Sequence, residues 1–277
     1  GRHRGLRMGY VFDRKAARRY AAWSQGPQGR AMERWLESCL PGLLRPHPRE
    51  RVLDIGCGEG THLLLLRRLG LDVSGVDASP HMINRARERL GQRCTLKTGP
   101  AEDLPFEDNA FDLSVMIHTL EFVEDPVQAL REAGRVTRRA VFVCVMNSLS
   151  WRAVFRKVKP SSLGPPLDRA RFFGLWELKD LVRGALGPVP MAWHSAPGLP
   201  SPVGRWCARL ADRPVEPSLP FGSHLGLSAT ILYRFKTDNL ALRVPVRSRS
   251  RTIPDGTAME TPEAVQGTRC DERSLPV

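Results

Sequence analysis

The sequence predicts an α/β fold with a mostly parallel sheet, and three observations carry that prediction. Short apolar segments alternate with helix-patterned segments from Arg51 to Met146, as strands joined by crossover helices do. A glycine-rich turn follows the first of these strands directly. After Asn147 the alternation loosens, and two further strand-like segments bring the sheet to seven strands flanked by helices, with room for a small lid or insert.

Taken in order, residues 10–22 and 29–44 read as helices. In the second, Met32, Trp35, Leu36, Cys39 and Leu40 recur at spacings of three and four and make one apolar face. Pro41, Gly42, Pro46 and Pro48 are expected to break the chain behind it. Residues 51–55 form the first strand, 61–69 a helix stopped by Gly70, and 72–76 the second strand. Ser79 caps and Pro80 starts a helix that runs to about Leu90. Strands follow over 94–98 and 111–117, then a helix over 126–136 and a strand over 140–146. Beyond Asn147, residues 173–186 return to a helix, and 189–193 and 227–235 supply the last two strands. The proline-rich stretch 195–222 makes a long excursion with a short helix near 203–210; loops of that length are usually functional or disordered. From about Asp238 no apolar period is sustained, which predicts a disordered tail. The expected organisation is a helical cover over 1–45, a ligand-binding core over 46–147, the remaining sheet with substrate-side inserts over 148–237, and the tail over 238–277.

With 277 residues and 42% hydrophobic content, the chain can fill one large core. Its net charge of +13 is concentrated at the start, where Arg2, Arg4, Arg7, Arg14, Lys15, Arg18 and Arg19 face only Asp13. Other arginines are scattered among acids, so no continuous basic groove is expected and nucleic-acid binding is disfavoured. The six cysteines include no Cys-x-x-Cys pair, so no metal site is expected. Several lie in apolar runs as small core residues, which suits a reducing compartment. No apolar run approaches the roughly 20 residues that span a bilayer, and no secretory signal stands at the start. Met8 is a candidate natural start, and the predicted location is cytoplasmic.

The chemistry concentrates in Val52-Leu53-Asp54-Ile55-Gly56-Cys57-Gly58-Glu59-Gly60-Thr61. Glycines let a ligand approach the main chain closely, and a loop at the carboxyl end of a parallel strand is where open α/β sheets bind ligands. Glycine loops also serve dinucleotides and phosphates, but two details separate this one. The Gly-x-Gly-x-x-Gly spacing is absent, because Thr61 stands where the last glycine would be, and no Gly-Lys-Ser/Thr follows. Asp54 also precedes the glycines. A fixed carboxylate there would repel a pyrophosphate, whereas it can accept hydrogen bonds from the ammonium of an amino-acid moiety. Asp77 ends the second strand, where a carboxylate can take both hydroxyls of a ribose; Ser79 already fills the alternative role of helix cap.

Together with Gly75-Val76-Asp77-Ala78-Ser79-Pro80-His81-Met82 and Ala101-Glu102-Asp103-Leu104-Pro105-Phe106-Glu107-Asp108-Asn109-Ala110-Phe111-Asp112, this run resembles the class I methyltransferases that use S-adenosyl-L-methionine (SAM). It looks like the group that includes the quinone-biosynthesis C-methyltransferases and many uncharacterised relatives, which implies a Rossmann-like fold. The resemblance covers residues 10–147, with an echo at 170–186 and 227–235. It implies that Asp54, Gly56, Cys57, Gly58 and Gly60 surround the methionine part and ribose. Asp77 would hold the ribose, Ala78 and Met82 would flank the adenine, and Ala101, Glu102 and Asp103 would form the loop at its edge. Ile117 and His118 would lie near the sulfonium, and Tyr10 and Tyr20 in a segment covering the cofactor. The chain departs from the family at Pro100, where an acid is frequent, at Phe122, where a histidine is frequent, and at Thr137-Arg138-Arg139-Ala140, which replaces a Lys-Pro-Gly-Gly turn.

Methyl transfer is an in-line displacement, so alignment is the protein's main task, and a base serves only acceptors that must lose a proton. His118 and Glu121 are the candidates, His118 because it meets the substrate side of the sheet; Glu121 is expected to face solvent more often than the site. The expected acceptor is a small molecule, amphiphilic or acidic in character. Trp151 and Phe155, four apart, stand beside Arg152, Arg156, Lys157 and Lys159, which suits such a substrate or peripheral contact with a membrane; a lid helix with a solvated basic side is the plainer reading. A methyltransferase acting on RNA or protein is an alternative, although Ile117-His118-Thr119-Leu120 lacks the Asn/Asp-Pro-Pro-Tyr/Phe pattern of base amino-group methylation. A non-catalytic SAM-binding regulatory module is another, and a dinucleotide oxidoreductase a distant third.

Overall fold

The computed structural model describes residues 9–91, 94–150, 153, 169–196 and 219–231, all within one unit, Gly1–Tyr233. Two helices lead, α1 (Arg14–Ser24) and α2 (Pro27–Leu44). They are followed by β1 (Arg51–Ile55), α3 (Thr61–Arg68), β2 (Asp72–Asp77), α4 (Pro80–Leu90), β3 (Thr95–Thr98), β4 (Phe111–Ile117), α5 (Pro126–Val136) and β5 (Thr137–Met146). The described chain closes with α6 (Leu175–Leu186), β6 (Met191–Ser195) and β7 (His224–Thr230).

The strands form one sheet of order β3-β2-β1-β4-β5-β7-β6. β1 through β5 run parallel, and β7 lies antiparallel between β5 and β6. The period-2 alternation of the strands feeds two cores. Ala140, Phe142 and Cys144 of β5 join Val52, Leu113 and the apolar faces of α2, α3 and α4. Val141, Val143 and Val145 point the other way, to Leu53, Ile55 and the faces of α5 and α6. Strand order reverses between β1 and β4, so their carboxyl ends bound the crevice in which such sheets hold ligands. The fold class is therefore the Rossmann-like, seven-stranded, mostly parallel sheet that the alternation predicted.

Local signals explain most boundaries. Ser79 accepts from Met82 N at 3.3 Å to cap α4, and Asp125 accepts from Gln128 N at 3.0 Å to cap α5. Several boundaries differ from the sequence reading, and the last strand, expected over 227–235, runs His224–Thr230. α1 starts at Arg14 rather than 10, because Asp13 accepts from Ala16 N at 2.7 Å and leaves residues 10–12 non-helical. α2 starts at Pro27 rather than 29 and runs through Pro41 to Leu44; Pro41 sits on the solvent face, where water can serve the carbonyl it leaves without a donor. β5 begins at Thr137, so the turn expected at 137–140 is strand, with Thr137 Oγ1 buried against Ser114 Oγ at 2.8 Å. β6 starts after Pro190, which lacks the N–H a ladder needs. The short helix near 203–210, the basic segment with Trp151 and Phe155, and the tail from Asp238 lie outside the described residues. Among the described residues no helix is long and apolar enough to cross a membrane, and no cluster could hold a metal ion.

One polar clamp ties α2 to the sheet. Arg139 on β5 meets Glu50 through two 2.8 Å contacts and donates to the Leu44 carbonyl at 2.8 Å. Replacing Arg139 with alanine removes the Leu44 carbonyl's side-chain donor and leaves the Glu50 carboxylate with the His47 N–H but no guanidinium. The expected cost is about 1–2 kcal/mol in urea unfolding, with Arg139→Lys recovering part of it; an unchanged midpoint would show that the clamp contributes nothing.

Candidate active site

The glycine loop is shaped by its backbone. Gly56, Gly58 and Gly60 take φ of +77°, +53° and +77°, conformations that side chains rarely adopt. A Cβ on Gly56 would stand 2.4 Å from Thr119 Oγ1, whereas one on Gly58 would meet nothing within 4 Å. Gly56 is thus fixed by close packing, and Gly58 borders open space. Gly56 N and Cys57 N both donate to the Val76 carbonyl, at 2.7 and 3.0 Å, locking the loop onto β2.

A cavity opens above the carboxyl ends of β1, β2 and β4. Its floor is Ile55 to Glu59, its flanks are Asp77, Ala78 and Met82 on one side and Ile117 to Thr119 on the other, and its far edge is Gly99 to Glu102. The non-helical strap before α1 closes it with Tyr10 and Phe12, joined by Tyr20 from α1 and by Phe122. Their rings interlock: Phe12 stands edge-on to Tyr20 and Phe122, with centroids 5.7 and 5.0 Å apart. The strap is pinned at both ends, by Tyr10 N on the Phe122 carbonyl at 2.8 Å and by Ser79 Oγ on the Phe12 carbonyl at 2.6 Å.

Two carboxyl groups dominate the electrostatics. Asp54 is fully buried, and neither of its oxygens has a hydrogen-bond partner. Burial, and then the charge of Asp77, push its pKa up to about 8. Asp77 accepts from Gly58 N at 2.9 Å and Ser79 N at 2.8 Å. Burial raises its pKa as well, opposed by those two bonds, and a carboxylate has about four acceptor sites, so capacity remains for two more donors. Burial also raises the Tyr20 hydroxyl, with the charges of Glu121 and Asp54 adding to it.

His118 ends β4 in the left-handed region, at φ +56°, while its N–H still donates to the Cys144 carbonyl at 2.9 Å. That backbone turn buries the ring, with Nδ1 2.8 Å from Glu121 Oε1 and Nε2 against Met32 Sδ of α2. Glu121 does not face solvent, as the sequence reading expected. It is 3% exposed, and the same Oε1 accepts from Met146 N at 2.8 Å. Because that oxygen serves as the acceptor for both, Nδ1 carries the proton in this arrangement and Nε2 is left as the ring's acceptor.

The cavity brings together Gly56, Cys57, Gly58, Asp77, Ala78, Met82, Ala101, Glu102, Ile117, His118, Tyr10 and Tyr20. Asp54 lies beneath it, close enough for its charge to act on Cys57 and Tyr20. Gly60 stands off the cavity as the cap residue of α3, where a Cβ would strike Leu90 Cδ1 at 2.6 Å. Asp103 is exposed and does not line the cavity. Glu102 turns one oxygen to Glu124 N at 3.0 Å and so braces the loop after β4. Sequence reasoning did not single out His62, Phe12, Thr119 or Trp23. His62 lines the cavity from the first turn of α3, and burial lowers its pKa to about 3, which holds it neutral. Trp23 was legible from its spacing, three residues after Tyr20 on α1. His224, placed by the sequence among the substrate-side inserts, is buried at the start of β7 with its ring centroid 5.0 Å from that of His118.

The Asp54 pKa has a measurable consequence. An unfolded aspartate ionises near pH 4, and the folded one near 8. Between those values the unfolded chain holds fewer protons, so this group's contribution to stability falls as pH rises. Asp54→Asn cannot titrate. The ligand-free variant should therefore gain on the wild type between pH 5 and pH 8, by on the order of a few kcal/mol, in thermal unfolding; parallel pH profiles would contradict the assignment.

Residues 53–145 match the model of a methyltransferase domain family. A 2-methyl-6-phytyl-1,4-hydroquinone methyltransferase of Oryza sativa subsp. japonica is 35% identical over 120 residues, 41% of this chain and 34% of that protein. The ajmaline N-methyltransferase of Rauvolfia serpentina is 28% identical over 173 residues, 60% of this chain and 52% of that protein. The chain thus spans about a third to a half of the length of these curated relatives. Among solved structures, a SAM-dependent methyltransferase of Thermotoga maritima matches 77% of this chain and 94% of its own at 25% identity, with a TM-score of 0.56. The magnesium protoporphyrin IX methyltransferase of Synechocystis shares the fold, with a TM-score of 0.57 at 17% identity over 80% of this chain and 96% of its own.

Proposed function

With residues 53–145 a methyltransferase domain, we propose that the chain binds SAM in the cavity over the glycine loop and moves its methyl group to a small-molecule acceptor by in-line displacement. The observation that carries this reading is Asp54. A fully buried carboxyl group with two unpartnered oxygens is costly unless a ligand supplies donors, and the ammonium of an amino-acid moiety supplies them. Asp77, with acceptor capacity to spare, takes the ribose hydroxyls. Ala78 and Met82 flank the adenine, Ala101 and Glu102 close its edge, and Gly58 leaves the main chain open to close approach. Tyr10, Phe12 and Tyr20 cover the site and exclude water.

When bound, the cofactor supplies a methyl group on a positively charged sulfur. The chain's own work is then alignment and, for an acceptor with a proton to lose, its removal. His118 fits that second task. It lines the cavity beside Ile117, and Glu121 holds Nδ1 so that Nε2 is the basic nitrogen, with only a thioether to displace. Glu121 is a positioning residue in this scheme. Acceptor choice is assigned to the elements outside the nucleotide half: α1, α2, the start of β7 and the segments after Asn147.

The direct test is transfer of radiolabelled methyl from SAM to fractionated cell extract. A labelled small molecule is expected. Label in RNA or protein would move the acceptor class, and SAM binding without turnover on any fraction would favour a regulatory module. SAM binding at pH 7 should also release a proton, because an ammonium partner draws the Asp54 pKa down from about 8; calorimetry in buffers of different ionisation heat reads that release, and its absence would count against the ammonium contact. His118→Gln should lower kcat at least 10²-fold while leaving SAM affinity within about twofold. Equal loss of both, or no loss, would remove His118 as the base.

A further inference from the structure

Among the described residues, the cavity is lined by acids and aromatic rings and by no lysine or arginine. Asp77 and Glu102 line it and meet main-chain donors, Gly58 N and Ser79 N for the first and Glu124 N for the second. Glu59 also lines it, and its charge is answered by the half-exposed Arg85 at 3.0 Å. Burial holds the lining His62 neutral. Two more carboxyl groups stand just outside the lining. Asp54 lies beneath the loop, and Glu121 lies behind His118, with Oε1 2.8 Å from Nδ1. Their charges reach the interior: after burial itself, Glu121, Asp54 and Asp77 push up the pKa of Tyr20, whose side chain lines the cavity. The rings act with the same sign, because an aromatic face is negative and attracts cations. Arg169 shows this at the rim, with its guanidinium 5.2 Å over the Tyr10 ring. Tyr20, Phe12 and Phe122 carry the aromatic lining further in.

From this lining we infer that the cavity selects for positive charge at the cofactor's sulfur, and so holds SAM more tightly than its demethylated product, S-adenosylhomocysteine. This selectivity rests on the methyltransferase reading and concerns product release from that same site. Methyl transfer breaks the bond between methyl and sulfur and leaves its electron pair on sulfur, so a sulfonium becomes a neutral thioether. The ammonium, carboxylate, ribose and adenine are common to both molecules, and their contacts cancel in the comparison. Only the charge on sulfur and the methyl group differ. Beside a lysine or arginine, loss of that charge would relieve repulsion and favour the product. Here it removes attraction to Asp77, Glu121 and the aromatic rings, in a buried site where charges are weakly screened. The reaction thereby weakens the hold on its own product, and product inhibition is slight.

The test is calorimetric titration of the full ligand-free chain, at one pH, with SAM, S-adenosylhomocysteine and sinefungin. Sinefungin has an amine-bearing carbon in place of the methyl-bearing sulfur, so it keeps the positive charge without the reactive methyl. SAM and sinefungin are each expected to bind with affinities about 10-fold or more above that of S-adenosylhomocysteine. S-adenosylhomocysteine binding as tightly as SAM would overturn the inference, and so would sinefungin that follows S-adenosylhomocysteine rather than SAM. No binding of any of the three would sink the methyltransferase reading itself. Glu121→Gln keeps the shape and removes the charge. It should lower the preference for SAM over S-adenosylhomocysteine about threefold or more, with S-adenosylhomocysteine affinity held within about twofold. A merely structural role would weaken both ligands alike; that result, or an unchanged preference, would also overturn the inference. The wild-type comparison among the three ligands decides the matter even if the variant does not fold.

Discussion

A carboxyl group buried at the carboxyl end of the central strand, with no donor for either oxygen, is the constraint on which the other features depend. Asp54 is fixed in place because β1 pairs on both sides, with β2 and β4, and every residue from Val52 to Ile55 is buried. The strand cannot turn that side chain to water without breaking two ladders. The chain therefore retains a destabilising group in the ligand-free fold, held near neutrality by a raised pKa, and the natural way to offset that cost is a ligand with a positive charge and hydrogen-bond donors. The same sheet edge sets Asp77 and the glycine loop around it. Gly58 N is spent on Asp77 rather than left free, so the loop and the second carboxylate form one rigid piece.

The packing around His118, which borders the other side of the cavity, is built by convergence rather than by a motif. His118, Glu121, Trp23, Met32 and His224 come from β4 and its following turn, α1, α2 and β7. Each contributes one contact to the His118 neighbourhood. The left-handed backbone at His118 is the cost of aiming its ring inward while its N–H stays in the β5 ladder, and strain of that kind is commonest where function over-determines the geometry. One wall of the cavity is thus fixed by the sheet and the other by the packing of helices and turns upon it.

The two walls also differ in how far the sequence reveals them. Strand alternation, the Ser79 cap and the run from Val52 to Thr61 are local signals, and they located the sheet and the loop, with Asp54 in β1 and Asp77 at the end of β2. Where local rules compete with tertiary packing, the sequence reading drifts. Pro41 reads as a stop but sits on a solvent face, and Thr137 reads as a turn but is buried against Ser114. Glu121 reads as a surface acid only because nothing in Leu120-Glu121-Phe122-Val123 shows that the Met146 N–H and His118 Nδ1 stand above it. His62 lines the cavity from α3, and His224 meets the ring of His118 from a strand far along the chain. No periodicity within a single element encodes those. Asp103 and Gly60 show the converse, since both belong to the motif by position while one faces solvent and the other serves helix packing.

The central claim is that the buried Asp54 and the spacing of its glycine loop select SAM over a dinucleotide. Calorimetric titration of the ligand-free chain with SAM and, separately, with NAD tests it most directly. Saturable 1:1 binding of SAM with no detectable NAD binding is the predicted result. Tight binding of NAD with none of SAM would contradict the account at its root.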